Sequence, residues 1–234
     1  MNAAPAFAAG HELLDGPDAD PMRVTTSLRN IARANRWFGG TWAALHGIDR
    51  VLSSDASGPA TLLDIGTGAG DLPRAAARRV RRRGIELRVI GIERHPAAAR
   101  LAQGDGLDVI LGCASALPFA TQSVDIVLIS QVLHHLDAVS GRALLVDADR
   151  IARCGVVIAD LQRSRVAPVL FLVGAALFRF DRDTRTDGIT SIRRGYTANE
   201  LRQLCTAAGV RATITRRPGF RVVAWWRKDA VEGR

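Results

Sequence analysis

Two adjacent histidines, His134 and His135, follow an apolar run that ends at Ser130, and Asp160 closes a later run, Val156 to Ala159. Histidine titrates near neutrality and can take a proton from a hydroxyl, and a carboxylate at a neighbouring strand end can orient it or share that work. Each group also has a plain structural reading. Either histidine alone is as well explained by packing or capping at a helix start, and Asp160 by satisfying main-chain N–H groups at a strand end. The pair favours one ring facing a cleft. Upstream, residues 64–71 read DIGTGAGD, an apolar run that breaks into alternating glycines before an alanine-rich, helix-compatible stretch. Glycine at 66, 68 and 70 admits positive φ and lets a ligand approach main-chain N–H groups without meeting a Cβ. Glu93 ends the next apolar run about twenty residues on, where an acid can hold both hydroxyls of a ribose. A nucleoside ligand follows from the two together.

Those side chains serve one ligand only if the chain brings them to one rim. Strand-like runs at 60–65, 87–92, 108–111, 124–130 and 155–159 alternate with helical stretches, which demands a mostly parallel α/β sheet with helices on both faces. In such sheets ligands bind beyond the carboxyl ends of the strands, beside the point where strand order reverses. Two further runs, 210–217 and 220–226, flank Pro218-Gly219 and read as a hairpin. Residues 27–37 and 41–53 look helical and precede the first strand.

The ordered series DIGTGAGD, IGIE, GCASALPF, SVDIVLIS and VLHHLD resembles the motifs of class I S-adenosylmethionine-dependent methyltransferases, near their small-molecule and quinone-type branch, over roughly residues 60–227. The competing dinucleotide fingerprint wants G-x-G-x-x-G, whereas Gly66, Gly68 and Gly70 have the tighter spacing. The resemblance implies a Rossmann-like seven-stranded sheet with an antiparallel C-terminal hairpin strand, and S-adenosylmethionine as donor with S-adenosylhomocysteine as product. It further implies that Asp64, Gly66, Thr67, Gly68 and Gly70 form the donor turn and that Glu93 with Arg94 holds the ribose. Cys113, Ala114 and Ser115 would flank the adenine, with Ser130 and Gln131 closing the donor site. Many relatives carry Asp where this chain has Cys113, and a thiol is a poor acceptor, so adenine recognition would lean on main-chain groups. Relatives that methylate hydroxyls use an acid and histidines at the places of Asp160, His134 and His135. Catechol-type relatives need clustered acids where this chain has Ser130 and Gln131, so no metal is expected.

Composition sets the remaining bounds. The 234 residues include 32 basic and 23 acidic side chains, for a formal charge of +9, and every basic residue but Lys228 is arginine. The run Arg78, Arg79, Arg81, Arg82 and Arg83 falls at the end of the helix after the glycine turn, where cations offset the helix dipole. With no basic stripe interleaved with aromatics, a nucleic-acid partner is not expected. Cys113, Cys154 and Cys205 have no metal spacing and read as reduced, buried thiols of a cytoplasmic protein. Residues 1–22 read as a flexible tail without the features of a secretory signal, 23–58 as a helical cap, and 59–234 as the catalytic domain with an insert at 162–195.

Within that insert, Pro168 to Phe180 is almost wholly apolar yet too short for the roughly twenty residues that cross a bilayer. A helix apolar all round must be covered. The choices, in order, are a lid over a greasy acceptor, a homodimer interface and a membrane-surface contact. Arg36, Trp37 and Phe38, with Phe171 and Arg193 from the insert, are expected to wall the acceptor pocket. The whole pattern points to O-methylation of a small hydrophobic phenol, polyketide or quinone-related acceptor of the kind secondary metabolism decorates. Carbon or nitrogen methylation is the rival within the enzyme class, and a non-catalytic S-adenosylmethionine-binding module is the rival outside it.

Overall fold

The computed structural model describes residues 12, 16, 19–52 and 58–228. The expected loose tail and the end of the helix expected to reach residue 53 therefore lie largely outside the described residues. Helix α1, Pro21–Trp37, starts earlier than the expected residue 27, because Asp20 accepts from the N–H groups of Met22 and Arg23 and Pro21 stands at the first helical position. Helix α2, Gly40–Val51, follows directly.

Seven strands then form one sheet: β1 Ala60–Ile65, β2 Leu87–Glu93, β3 Asp108–Leu111, β4 Val124–Ser130, β5 Ala152–Leu161, β6 Thr213–Arg217 and β7 Arg221–Arg227. Their order is β3-β2-β1-β4-β5-β7-β6, with β7 antiparallel to both neighbours. This is the Rossmann-like sheet with a reversed C-terminal strand that the sequence implied. The order reverses between β1 and β4, so the carboxyl ends of β1, β2, β4 and β5 share one rim. The helices between strands are α3 Asp71–Arg81, α4 Pro96–Gly104, α5 Ala138–Ile151, α6 Ala167–Leu177, α7 Arg182–Arg194 and α8 Ala198–Ala207.

The period-two alternation of the central strands divides the core between the two faces. Leu63, Ile65, Val127 and Ile129 pack with α5 and α8, while Leu62, Ile126 and Leu128 pack with α2 and α3. Helix α2 lies very close to β5: a Cβ at Gly47 would come within 2.3 Å of Val157 Cγ1. A third cluster joins Val24 and Leu28 of α1 to Ala97 and Ala98 of α4, which holds α1 across the rim.

Three expectations change. Strand β5 runs to Leu161 because its far end pairs with β7 through Leu161 and Arg221, so Asp160 sits inside the strand. Of the three cysteines, Cys205 alone is buried; Cys113 and Cys154 are exposed because they lie on a loop and at the outer end of β5. The apolar insert is not covered. Val169, Val173 and Leu177 of α6 are 61%, 64% and 78% exposed. No helix among the described residues is long and apolar enough to cross a membrane.

Candidate active site

A cavity of about 590 Å³ opens at the carboxyl rim, between the β1–α3 turn, the ends of β2 and β4, and a roof made by α1, α6 and α7. The glycine turn forms one end. Gly66 and Gly68 have φ of 72° and 54°, and a Cβ at Gly66 would strike Val132 Cγ2 at 2.5 Å. The N–H groups of Gly66 and Thr67 both donate to Ile92 O, which ties the turn to β2. Gly70 also has positive φ but caps α3, and it lies outside the cavity lining.

Two carboxylates bracket this turn. Asp64, 2% exposed, accepts from Thr67 Oγ1 at 2.8 Å, and its Oδ1 is buried with no partner. Burial pushes its pKa up to about 7, against the opposing Thr67 hydrogen bond. A buried acceptor without a donor fits a ligand that brings a positive, hydrogen-bonding group. Glu93 is buried too; its Oε2 accepts from Gly68 N and its Oε1 from His95 N, both at 2.9 Å. Arg94, Cys113 and Ala114 line the same end, while Ser115 lies outside the lining and donates to Cys113 Sγ at 3.2 Å. That bond holds the Cys113 thiol below its usual range.

At the other end a 3-10 turn, Leu133–His135, follows β4 and stacks the two histidine rings 4.2 Å apart. Both line the cavity. His134 Nδ1 is 2.6 Å from Asp160 Oδ1, which also accepts from Leu161 N at 2.7 Å. Burial alone would raise Asp160, but the charge and hydrogen bond of His134 together with the Leu161 N–H hold it below the ordinary carboxylate range. Asp160 is therefore an anion and accepts only. In this bond Nδ1 of His134 is the donor. Asp160 is not in the cavity wall; fully buried, it is paired with His134, the arrangement of a carboxylate that orients the ring.

Between the two ends runs a polar chain that the sequence did not reveal. Gln131, held at φ 55°, donates to Asn35 Oδ1 at 2.7 Å and accepts from Arg221 at 3.2 Å; Asn35 in turn donates to Asp71 Oδ2 at 3.2 Å. Desolvation lowers the pKa of the Arg221 guanidinium to about 10. The chain joins α1, β4 and β7 across the cleft floor. Ser130, also in the lining, bonds to Ala159 O at 3.2 Å. Glu12 is a further surprise. It is 7% exposed, lies 3.4 Å from Arg194 and 3.8 Å from His135 Nε2, and is far from the loose tail the sequence suggested.

Of the residues expected around the acceptor, Trp37, Phe38 and Phe171 line the cavity. Arg36 and Arg193 do not. Both point to solvent, Arg36 over the Trp37 ring at 5.7 Å, because each lies on the outward side of its helix.

Comparison with known proteins decides what this arrangement is. Residues 63–159 match the family described as "Methyltransferase domain". The chain carries a class I, S-adenosylmethionine-dependent methyltransferase domain. The methyltransferase fold extends beyond that match. The plantazolicin methyltransferase BpumL, solved with S-adenosylhomocysteine, superposes with TM-score 0.69 at 13% identity, covering 96% of this chain and 95% of that one. A SAM-dependent methyltransferase from Aquifex aeolicus gives 0.60 at 15%, covering 88% and 97%. Human N-acetylserotonin methyltransferase with bound S-adenosylmethionine gives 0.66 at 13%, covering 95% of this chain and 64% of that one. No curated protein sequence matches this methyltransferase significantly. Its donor is S-adenosylmethionine.

Proposed function

We propose that this methyltransferase transfers the methyl group to a hydroxyl of a small hydrophobic acceptor, a phenol or a related polyketide or quinone precursor. One observation supports the reading: a buried Asp160–His134 pair, with His134 in the wall of a cavity whose other end holds Asp64 and the glycine turn. A hydroxyl must lose its proton on methylation, whereas a neutral amine or an activated carbon makes less use of a fixed base. Solved O-methyltransferases, including an O-methyltransferase family 2 protein from Planctomyces limnophilus in complex with apigenin, are similar in fold.

The donor site we assign to Asp64, the glycine turn, Glu93 and the loop at Cys113 and Ala114. Bound S-adenosylmethionine supplies a sulfonium methyl group, an electrophile that needs no further activation. The protein's part is position and proton removal. Phe38 and Phe171 exclude water from the acceptor end, and the Gln131 chain fixes α1 over the cleft. His134 accepts the hydroxyl proton at Nε2, and Asp160 orients the ring and steadies the resulting imidazolium.

We assign no metal to this chemistry. Glu12, His134 and His135 each bring one ligand atom within 4.8 Å of the others, but Arg194 already sets its positive charge on Glu12. Product mass spectrometry with labelled donor and a panel of phenols, quinols, amines and RNA tests the whole reading. Label should appear on a phenol or quinol, equally with and without a chelator. Label on an amine or carbon alone, or loss of turnover on chelation, would overturn the corresponding part.

Asp64 gives a further expectation. An unfolded aspartate titrates near 4, so between about pH 4 and 7 the free folded protein holds a proton that the unfolded chain has lost. The contribution of this group to stability therefore falls as pH rises through that window and is constant above it. A cationic ligand group beside Asp64 favours the carboxylate, so donor binding at pH 6 should expel close to one proton. Calorimetry in two buffers of different ionisation enthalpy measures this. Asp64→Asn should abolish the release, and a wild type that exchanges no proton at pH 6 would refute the contact.

A further inference from the structure

Helix α6 breaks the usual rule that an apolar helix is buried. Its eleven residues carry no charge, yet Ala167 and Ala175 are the only buried positions in it. Val166, Val169, Leu170, Val173 and Leu177 follow the i, i+3, i+4, i+7, i+11 spacing of one helical face, and all are exposed. Trp37 extends this face from α1; it is 62% exposed and its ring lies 5.8 Å from Phe178 at the end of α6. Scattered exposed hydrophobics need no explanation, but a contiguous helical face of them marks a binding surface.

The charges around the face decide what binds it. Arg165 precedes α6 and Arg179 follows it, both exposed, and Arg36 and Arg182 stand exposed at the Trp37 end. Arg33 reaches the same place, donating to Phe178 O at 3.0 Å. The nearby acids are engaged: Asp181 caps α7 and accepts from Asn30, and Asp183 is paired with Arg23. The face is thus an apolar strip with cations at both ends. Self-pairing would set like charges together, Arg165 of one copy against Arg179 of the other if antiparallel, or Arg165 against Arg165 if parallel. An anionic surface with an apolar layer beneath it complements every part of the strip, and tryptophan favours that boundary.

We propose that α6 and Trp37 dock this methyltransferase on an anionic lipid bilayer, with α6 lying in the interface plane. At about 1.5 Å per residue α6 is roughly 16 Å long, which suits lying in the interface and not crossing it. The same helix turns Ala167 and Phe171 into the cavity, and Leu170 lies at the boundary between cavity and exposed face. Docking therefore sets the acceptor end of the cleft against acyl chains, and an apolar acceptor enters without crossing water. The docking surface itself stands whatever group is methylated.

Flotation of the full chain with vesicles tests this by binding alone. Vesicles of phosphatidylcholine with one third phosphatidylglycerol should carry the protein up, and vesicles of phosphatidylcholine alone should carry about a tenfold smaller fraction; molar salt should erase the difference. The double variant Val173→Glu with Leu177→Glu should lose at least tenfold of the bound fraction while its melting curve and S-adenosylhomocysteine affinity stay those of wild type. Arg165→Gln with Arg179→Gln should remove the preference for anionic vesicles. Failure of wild type to float with anionic vesicles would overturn the proposal. So would a wild-type dimer, seen in sedimentation, that the glutamate variant converts to monomer, because the face would then belong to a second copy.

Discussion

Replacing His134 by Gln lowers turnover by about a hundredfold or more and leaves the affinity for S-adenosylmethionine close to wild type. The buried Asp160 carboxylate accepts the Nδ1 proton of His134, which on the proposed reading leaves Nε2 to act as the base. Glutamine retains size and polarity but cannot take a proton. Asp160→Asn acts through the same ring: an amide no longer fixes the tautomer or steadies the imidazolium, so kcat falls with little change in KM for the donor. His135→Gln is the comparison, since His135 Nε2 faces Glu12, whereas Asp160 Oδ1 pairs with His134. Single-turnover rates measure all three. An unchanged rate in His134→Gln would leave proton removal to solvent, and the histidines would revert to packing.

Glu93→Ala weakens donor binding by about 1–3 kcal/mol, roughly 5- to 150-fold in Kd. The carboxylate does two things at once. On the proposed assignment it accepts from ribose hydroxyls at the end of β2, and it already accepts from the N–H groups of Gly68 and His95. Removing it leaves those N–H groups without an acceptor and loosens the glycine turn from β2. Glu93→Gln keeps one acceptor oxygen, so its loss should be smaller. Titration calorimetry separates the three proteins, and an unchanged Kd for Glu93→Ala would remove Glu93 from the donor site.

The strand pattern and the donor turn were open to sequence reading because both are local. Burial of β1 and β4 on both faces follows from largely apolar runs such as Val124–Ser130, and the positive φ at Gly66, Gly68 and Gly70 follows from glycine itself. The family motifs added the order in which those pieces meet. Helix α1 was read too short although its signal, Asp20 before Pro21, was present.

The rest depended on contacts between remote segments. His134 meets Asp160 across 26 residues, Gln131 meets Asn35 across 96 and Arg221 across 90, and Arg194 meets Glu12 across 182. Periodicity tells which side of an element is apolar, but not which element lies opposite. For Asp160 that meant a buried place against His134, outside the cavity wall. For α6 it meant that uniform apolarity, which by itself predicts a covered helix, coexists with an open face, because α7 and Phe38 cover one side only and nothing in an eleven-residue run records how wide its neighbours are. The sequence by itself determined the sheet and the glycine turn; tertiary packing decided which histidine pairs with Asp160, which polar groups span the cleft, and which apolar surface stays exposed. Backbone preference and burial period act over a few residues, whereas side-chain pairing and coverage are set only when the whole chain has closed.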